Sequence, residues 1–121
     1  MRGVLGDLDG YLKPCTKDFH SHVPGRGAIA GIYRGKQGLY DLAGKAMTVT
    51  AGSFLEEVED VLANDRHTLA LARHEFQRDG KQRQYRTVHV CGVRDGKLAA
   101  GWEQPRDLVA FDEAWGLRSG M

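Results

Sequence analysis

All five histidines of this 121-residue chain fall in strand-like runs: His20 and His22 in residues 17–23, His67 and His74 in 67–78 and His89 in 82–105. Imidazole titrates near neutral pH and serves as acid or base. His22 and His89 are the expected acid/base pair. Both are expected to face an interior, where desolvation favours the neutral, basic ring. The alternative is that each is a hydrogen-bonded pocket histidine with no chemistry. His20 and His22 also form an HxH pair, and His74 or His89 offers a third imidazole, a set that suits zinc with an open position. That spacing is generic and no carboxylate clearly joins it, so no metal and no cofactor is expected. Cys91 is expected to face the pocket, but a thiol without a fixed base is a weak nucleophile. Tyr33, Tyr40, Tyr85 and Trp102 are expected to line an apolar pocket, with ordinary core packing as the alternative. Residues 24–35 are glycine-rich, yet they contain neither GxGxxG nor GxxxxGK[ST], so they are no phosphate cradle.

The elements that place these residues are legible from turn chemistry and periodicity. Asp95-Gly96 and Asp79-Gly80 each read as a two-residue type I′ hairpin turn. Pairing Arg94 with Lys97 sets His89 opposite Trp102, Cys91 opposite Ala100 and Val93 opposite Leu98. Pairing Arg78 with Lys81 sets Ala70 opposite His89, Ala72 opposite Thr87 and His74 opposite Tyr85. One sheet face then carries the histidines, Tyr85, Cys91, Trp102 and several small residues. The other carries Leu69, Leu71, Val88, Val90 and Glu103. Upstream, residues 17–23 alternate, with Phe19, Ser21 and Val23 on one face and His20 and His22 on the other. Residues 24–35 read as a loop folded over something, since Ile29, Ile32 and Tyr33 are apolar. Residues 35–50 are the clearest helix, with Leu39, Leu42, Ala43, Ala46 and Met47 on one stripe. Gly38 or Gly44 is expected to allow close approach to the sheet. Residues 53–62 read as a strand, and the acids from Glu56 to Asp60 as its solvated face. A short C-terminal helix is expected over 106–116, capped by Asp107. A weak helix is expected over 1–13 from Leu5, Leu8 and Leu12.

Composition sets the outer bounds. Hydrophobic residues make up 41% and charged residues 27%, which fits one globular domain spanning residues 1–121. The net charge is +1 with no basic stripe, so nucleic acid is not an expected partner. No apolar run approaches the ~20 residues of a spanning helix, and no membrane association is expected. Cys15 and Cys91 are far apart in sequence, which suits two reduced thiols and a cytoplasmic protein.

The order of strand, glycine-rich loop, helix and four antiparallel strands resembles the nuclear transport factor 2-like superfamily, in its SnoaL-like and ketosteroid isomerase-like branch. The resemblance rests on HVPGRGAIAGIYRG at 22–35, the helix after it, FLEEVEDVLANDRHTLAL at 54–71 and VHVCGVRDGKLAAGWEQP at 88–105. It implies an α+β cone, a curved antiparallel sheet wrapped around helices with an interior pocket for a small apolar molecule. It also implies a homodimer through the outer sheet face, which suits Leu69, Leu71, Val88 and Val90. Family members usually place a long helix before a GDLD-like segment. Here GDLD is residues 6–9, so either a partner chain covers that side of the cone or the natural start lies upstream. The acid pair of ketosteroid isomerase is not matched on the pocket strands. Three functions stay open: a SnoaL-like isomerase, cyclase or hydratase/hydrolase using His22 and His89, a non-catalytic binder of a hydrophobic metabolite, and a dimerisation domain.

Overall fold

In the computed structural model of the protein, which describes residues 2–3 and 13–117, seven strands form a single sheet. The strands are β1 (Arg2–Gly3), β2 (Cys15–Val23), β3 (Gly31–Arg34), β4 (Leu55–Ala63), β5 (His67–Arg78), β6 (Lys81–Arg94) and β7 (Lys97–Pro105). Among the described residues the helices are α1 (Gly35–Thr50) and α2 (Leu108–Trp115). The strand order across the sheet is β1-β4-β5-β6-β7-β2-β3. The architecture is the α+β cone: one curved sheet with both helices against its concave side. Apart from Arg2–Gly3, which pair with Glu57 and Glu56, the N-terminal helix expected over 1–13 and the GDLD segment lie outside the described residues. Among the described residues no helix is long and apolar enough to cross a membrane.

Strands β4 to β7 form an antiparallel meander set by its turns. Asp79, Gly80, Asp95 and Gly96 all take positive φ (55, 72, 52 and 76°), as type I′ turns require. Arg78 pairs with Lys81 and Arg94 with Lys97, and the β5–β6 pairs His74–Tyr85, Ala72–Thr87 and Ala70–His89 fall as the turn predicts.

The β6–β7 register holds only as far as Leu98. Val93 pairs with Leu98, but Gly92 pairs with Ala100, so Ala99 is an extra residue in β7. This bulge, in a run of small residues, moves every later β7 side chain to the opposite face. Cys91 therefore lies opposite Gly101, Val90 opposite Trp102, and His89 opposite Glu103. Glu103 points inward and is buried, against the outward position expected for it.

The sheet is also mixed rather than wholly antiparallel, because β2 runs parallel to β7, with Ser21 on Gly101 and His22 on Trp102. Phe19 and Val23 take the core side of β2, each 7% exposed, so His20 and His22 face outward. Burying two large apolar groups outweighs burying two imidazoles. The expected loop over 24–35 contains β3, which pairs with β2, turns Tyr33 inward and leaves Ile32 outside. Ile and Tyr suit a pleated edge strand. The rest of the loop folds onto α2: Ala28 N–H donates to Gly116 O at 2.7 Å and Arg26 N–H to Asp112 Oδ1 at 3.0 Å.

Helix α1 lays Leu39, Leu42, Ala43 and Ala46 over the sheet, while Met47, expected on that stripe, is 46% exposed. Gly38 is the close approach: a Cβ there would lie 2.7 Å from the Tyr33 carbonyl carbon. Asp107 caps α2 by accepting from Ala110 N–H at 3.1 Å. At the other end Arg78 donates to the carbonyls of Ala114 (2.8 Å) and Glu113 (2.9 Å), a cation against the negative end of the helix. Phe76, Phe111 and Trp115 are the buried centre of the core, at ~2–3 kcal/mol each.

Gly38→Ala is expected to lower the unfolding free energy by ~1–3 kcal/mol, because backbone must move. Gly44, with nothing within 4 Å of its missing Cβ, should gain up to ~1 kcal/mol as alanine. Urea denaturation of the two variants checks the pair.

Candidate functional site

Between α1 and the concave face lies a cavity of about 430 Å³. Its walls are mainly apolar, with Phe19, Leu39, Leu42, Ala46, Val58 and Val61 among them. At one place the lining turns polar, where Glu56, His74, Tyr85, His89 and Glu103 converge. Glu56 on β4 is paired with His74 on β5, which is paired with Tyr85 on β6, so one row of side chains crosses three strands. His89 and Glu103 form the corresponding pair across β6 and β7. Ala70 and Ala72 put little bulk between the two histidines, and Gly101 has Phe19 and Cys91 where a side chain would stand.

The cluster is tightly connected. Glu56 Oε2 lies 2.7 Å from His74 Nε2 and 2.9 Å from His89 Nε2, and the two nitrogens are 3.1 Å apart. His74 Nδ1 is 2.9 Å from the Tyr85 hydroxyl, which accepts from Trp115 Nε1–H at 2.8 Å. Indole N–H only donates, so Tyr85 has its own hydrogen free for His74 Nδ1. That assigns the His74 proton to Nε2, which donates to Glu56. His89 Nε2 donates to the same oxygen, so the two imidazoles share one acceptor. Glu103 Oε2 sits 3.9 Å from His89 Nε2 and accepts a hydrogen bond from the Thr87 hydroxyl.

Burial by itself would raise the Glu56 carboxyl, yet the hydrogen bonds from His74 and His89 prevail and hold it far below the usual carboxylate range. Burial likewise opposes charge on His89, but Glu103 and the bond to Glu56 outweigh it and raise the imidazole to about 9. His89 is therefore an imidazolium at neutral pH. Burial, followed by the charge of Glu103, keeps Tyr85 well above the ordinary phenol value. Burial also pushes the Cys91 and Cys15 thiols up, which makes them poor nucleophiles.

Of the residues expected at the site, His89, His74, Tyr85 and Cys91 line the cavity. His20 and His22 do not, since both are on the outer face, with His20 Nδ1 2.6 Å from His22 Nε2. Burial, then the nearby His20 and Arg34, lower the His22 pKa. Trp102 borders the cavity, yet its indole stacks on His22 with ring centroids 5.5 Å apart. Tyr33 is a core residue whose hydroxyl donates to Ile29 O at 2.7 Å. Tyr40 is exposed on α1 beneath Lys36. The HxH pair and the His74–His89 pair thus belong to opposite faces and cannot bind one ion within a chain. Sequence reasoning missed Glu56, Glu103, Thr87 and Trp115. The signal for Glu56 was parity: it shares a strand face with Val58.

The fold has known counterparts. No family model matches the chain. An uncharacterised protein of Mycobacterium tuberculosis is 32% identical over 114 residues, covering 91% of this chain and 85% of that one. Among solved structures, Bal32a from a soil-derived mobile gene cassette is 28% identical with a TM-score of 0.84, covering 92% of this chain and 86% of its own. A nuclear transport factor 2-like protein of unknown function from Burkholderia pseudomallei has a TM-score of 0.79 at 15% identity, covering 90% and 85%. A Bacillus cereus protein assigned as a polyketide cyclase has 0.72 at 20%, covering 96% and 74%. At those identities the last two show the fold alone. The chain belongs to one family with the uncharacterised mycobacterial protein, and its fold is the one seen in the cystatin-like and nuclear transport factor 2-like structures.

Two of the shifted groups, His89 and Glu56, bracket a window of pH stability. His89 is raised on folding, so its contribution is whole below ~6.5 and is lost as pH rises through about 9. Glu56 is depressed, so its contribution is whole above 4.5 and is lost as pH falls through the lowered value. Urea denaturation in chelator-containing buffer should show stability falling between pH ~7 and ~9.5. His89→Gln should flatten that limb.

Proposed function

We propose that the protein is a SnoaL-like enzyme that moves a proton on a small apolar carbonyl compound, in an isomerisation, cyclisation or hydration. The observation that carries this reading is the charged cluster of Glu56, His74, His89 and Glu103 set into an otherwise apolar cavity. Apolar walls bind the substrate skeleton and exclude water, which strengthens every electrostatic contact inside. His89 acts as the acid instead of the neutral base expected of a desolvated imidazole, and the carboxylates take the place of His22.

The division of labour follows from the hydrogen bonds. Glu56 accepts from two imidazoles and is a fixed anion that orients them. Glu103 is held by one hydroxyl and is the freer carboxylate, suited to remove a proton beside a substrate carbonyl. The electron pair left behind moves onto the carbonyl oxygen, where the His89 imidazolium stabilises the charge or donates its proton. Return of the proton from Glu103 to a different carbon, and of the oxygen-bound proton to His89, completes an isomerisation. Trp115 and Tyr85 position His74, which in turn positions Glu56.

A second reading, a non-catalytic binder of an apolar metabolite, is favoured by the mainly apolar lining. Two copies paired through the outer face are part of either proposal. The support for that pairing is the apolar stripe of Leu69, Leu71, Val88 and Val90.

Proton exchange in D₂O separates the readings without a known substrate. A panel of cyclic and aromatic ketones is incubated with the protein, and loss of α-proton signals is followed by NMR. Wild-type protein should accelerate exchange of at least one compound, and His89→Gln or Glu103→Gln should slow it ~10²–10⁴-fold. Ligand binding with no exchange would leave the binder as the correct reading.

A further inference from the structure

The donor atoms of the cluster have a second property. Glu56 Oε2, His74 Nε2 and His89 Nε2 form a nearly equilateral triangle with sides of 2.7, 2.9 and 3.1 Å. Neighbouring ligands of a regular octahedron lie about 3.0 Å apart when each is about 2.1 Å from the metal, against about 3.4 Å in a tetrahedron. The triangle has the size of one octahedral face. The His74 and His89 ring centroids are 5.1 Å apart, farther than their Nε2 atoms, so the rings converge toward a shared point. All three residues line the cavity, which leaves positions beyond the triangle open to water or a ligand.

We propose that Glu56, His74 and His89 bind a divalent first-row transition-metal ion as three neighbouring ligands of a six-coordinate site that opens into the cavity. Two imidazoles and one carboxylate select such an ion over calcium or magnesium, which take oxygen ligands, and over soft copper(I). Charge points the same way. The cavity holds two carboxylates, Glu56 and Glu103, and among the described residues no lysine or arginine lines it. A divalent ion that displaces the His89 imidazolium proton leaves both imidazoles neutral and balances that pair.

The surroundings supply the outer hydrogen bonds that a metal-bound imidazole needs. Binding through Nε2 places the His74 ring proton on Nδ1, which then donates to the Tyr85 oxygen. That oxygen already accepts from Trp115 and has a second lone pair. His89 yields its extra proton to solvent. Glu103 Oε2, 3.9 Å from His89 Nε2, is within reach of a fourth position. The outer-face pair His20 and His22 offers only two nitrogens and plays no part.

The test is direct titration of chelator-stripped protein with cobalt(II), nickel(II) and zinc(II) chlorides, by calorimetry and cobalt(II) visible absorption. One ion per chain is expected, with the weak d–d bands of six-coordinate cobalt rather than the intense bands of a tetrahedral site. Glu56→Gln and His89→Gln, checked for folding by circular dichroism, should each weaken binding more than tenfold. His22→Gln should leave it unchanged. Absence of saturable binding by wild-type protein overturns the proposal, as does binding that survives Glu56→Gln and disappears in His22→Gln. Metal binding and proton exchange are separate readouts, so the failure of one does not decide the other.

Discussion

The Glu56 carboxylate, held between two imidazoles inside an apolar cone, is the interaction on which the site depends. A lone buried carboxylate takes up a proton rather than bear its desolvation cost. Glu56 remains ionised because His74 and His89 donate to one of its oxygens. The same bonds join β4, β5 and β6 at the polar part of the cavity. Fixed on one side by Tyr85 and Trp115, the cluster has a set tautomer and a set direction, which a loose pair of histidines lacks. Removing the carboxylate alone therefore leaves His89 with Glu103 as its remaining anion and takes away the acceptor of the His74 Nε2 proton.

Much of this is readable from the sequence alone. The Asp79-Gly80 turn fixes the β5–β6 register residue by residue and places His74, Tyr85, Thr87 and His89 on one face. Asp107 as a cap and 35–50 as a helix follow from local chemistry. The β7 misreading has a plain physical origin. Strand facing is a parity, and a single extra residue reverses it. Ala99 lies in a run of small residues that gives no warning of a bulge, and it exchanges Trp102 for Glu103 at the cavity. On β2 competition decides rather than parity: the alternation is as expected, but Phe19 and Val23 displace the histidines from the interior. Glu56 is hidden by its company, since four acids within five residues read as a solvated edge.

Corrected facing also divides the histidines by role. His74 and His89 belong to the cavity, where carboxylates support their protons. His20 and His22 sit against Trp102 on the other side of the sheet, where their neighbours are each other's rings and the indole. A single sheet thus separates two imidazole pairs with opposite electrostatic settings.

The parallel pairing of β2 with β7 constrains how the molecule is made. The β4–β7 meander needs only neighbours in sequence, and β2 with β3 is a local pair as well. The contact between these halves joins residues roughly eighty positions apart, through the last strand of the sheet. Long-range closure of this kind is slow, because chain entropy is lost before any contact compensates. During synthesis the apolar side of β2 and α1 must wait until β7 has emerged. The cavity is therefore the last part of the protein to exist, and the nascent chain carries its future walls uncovered until then.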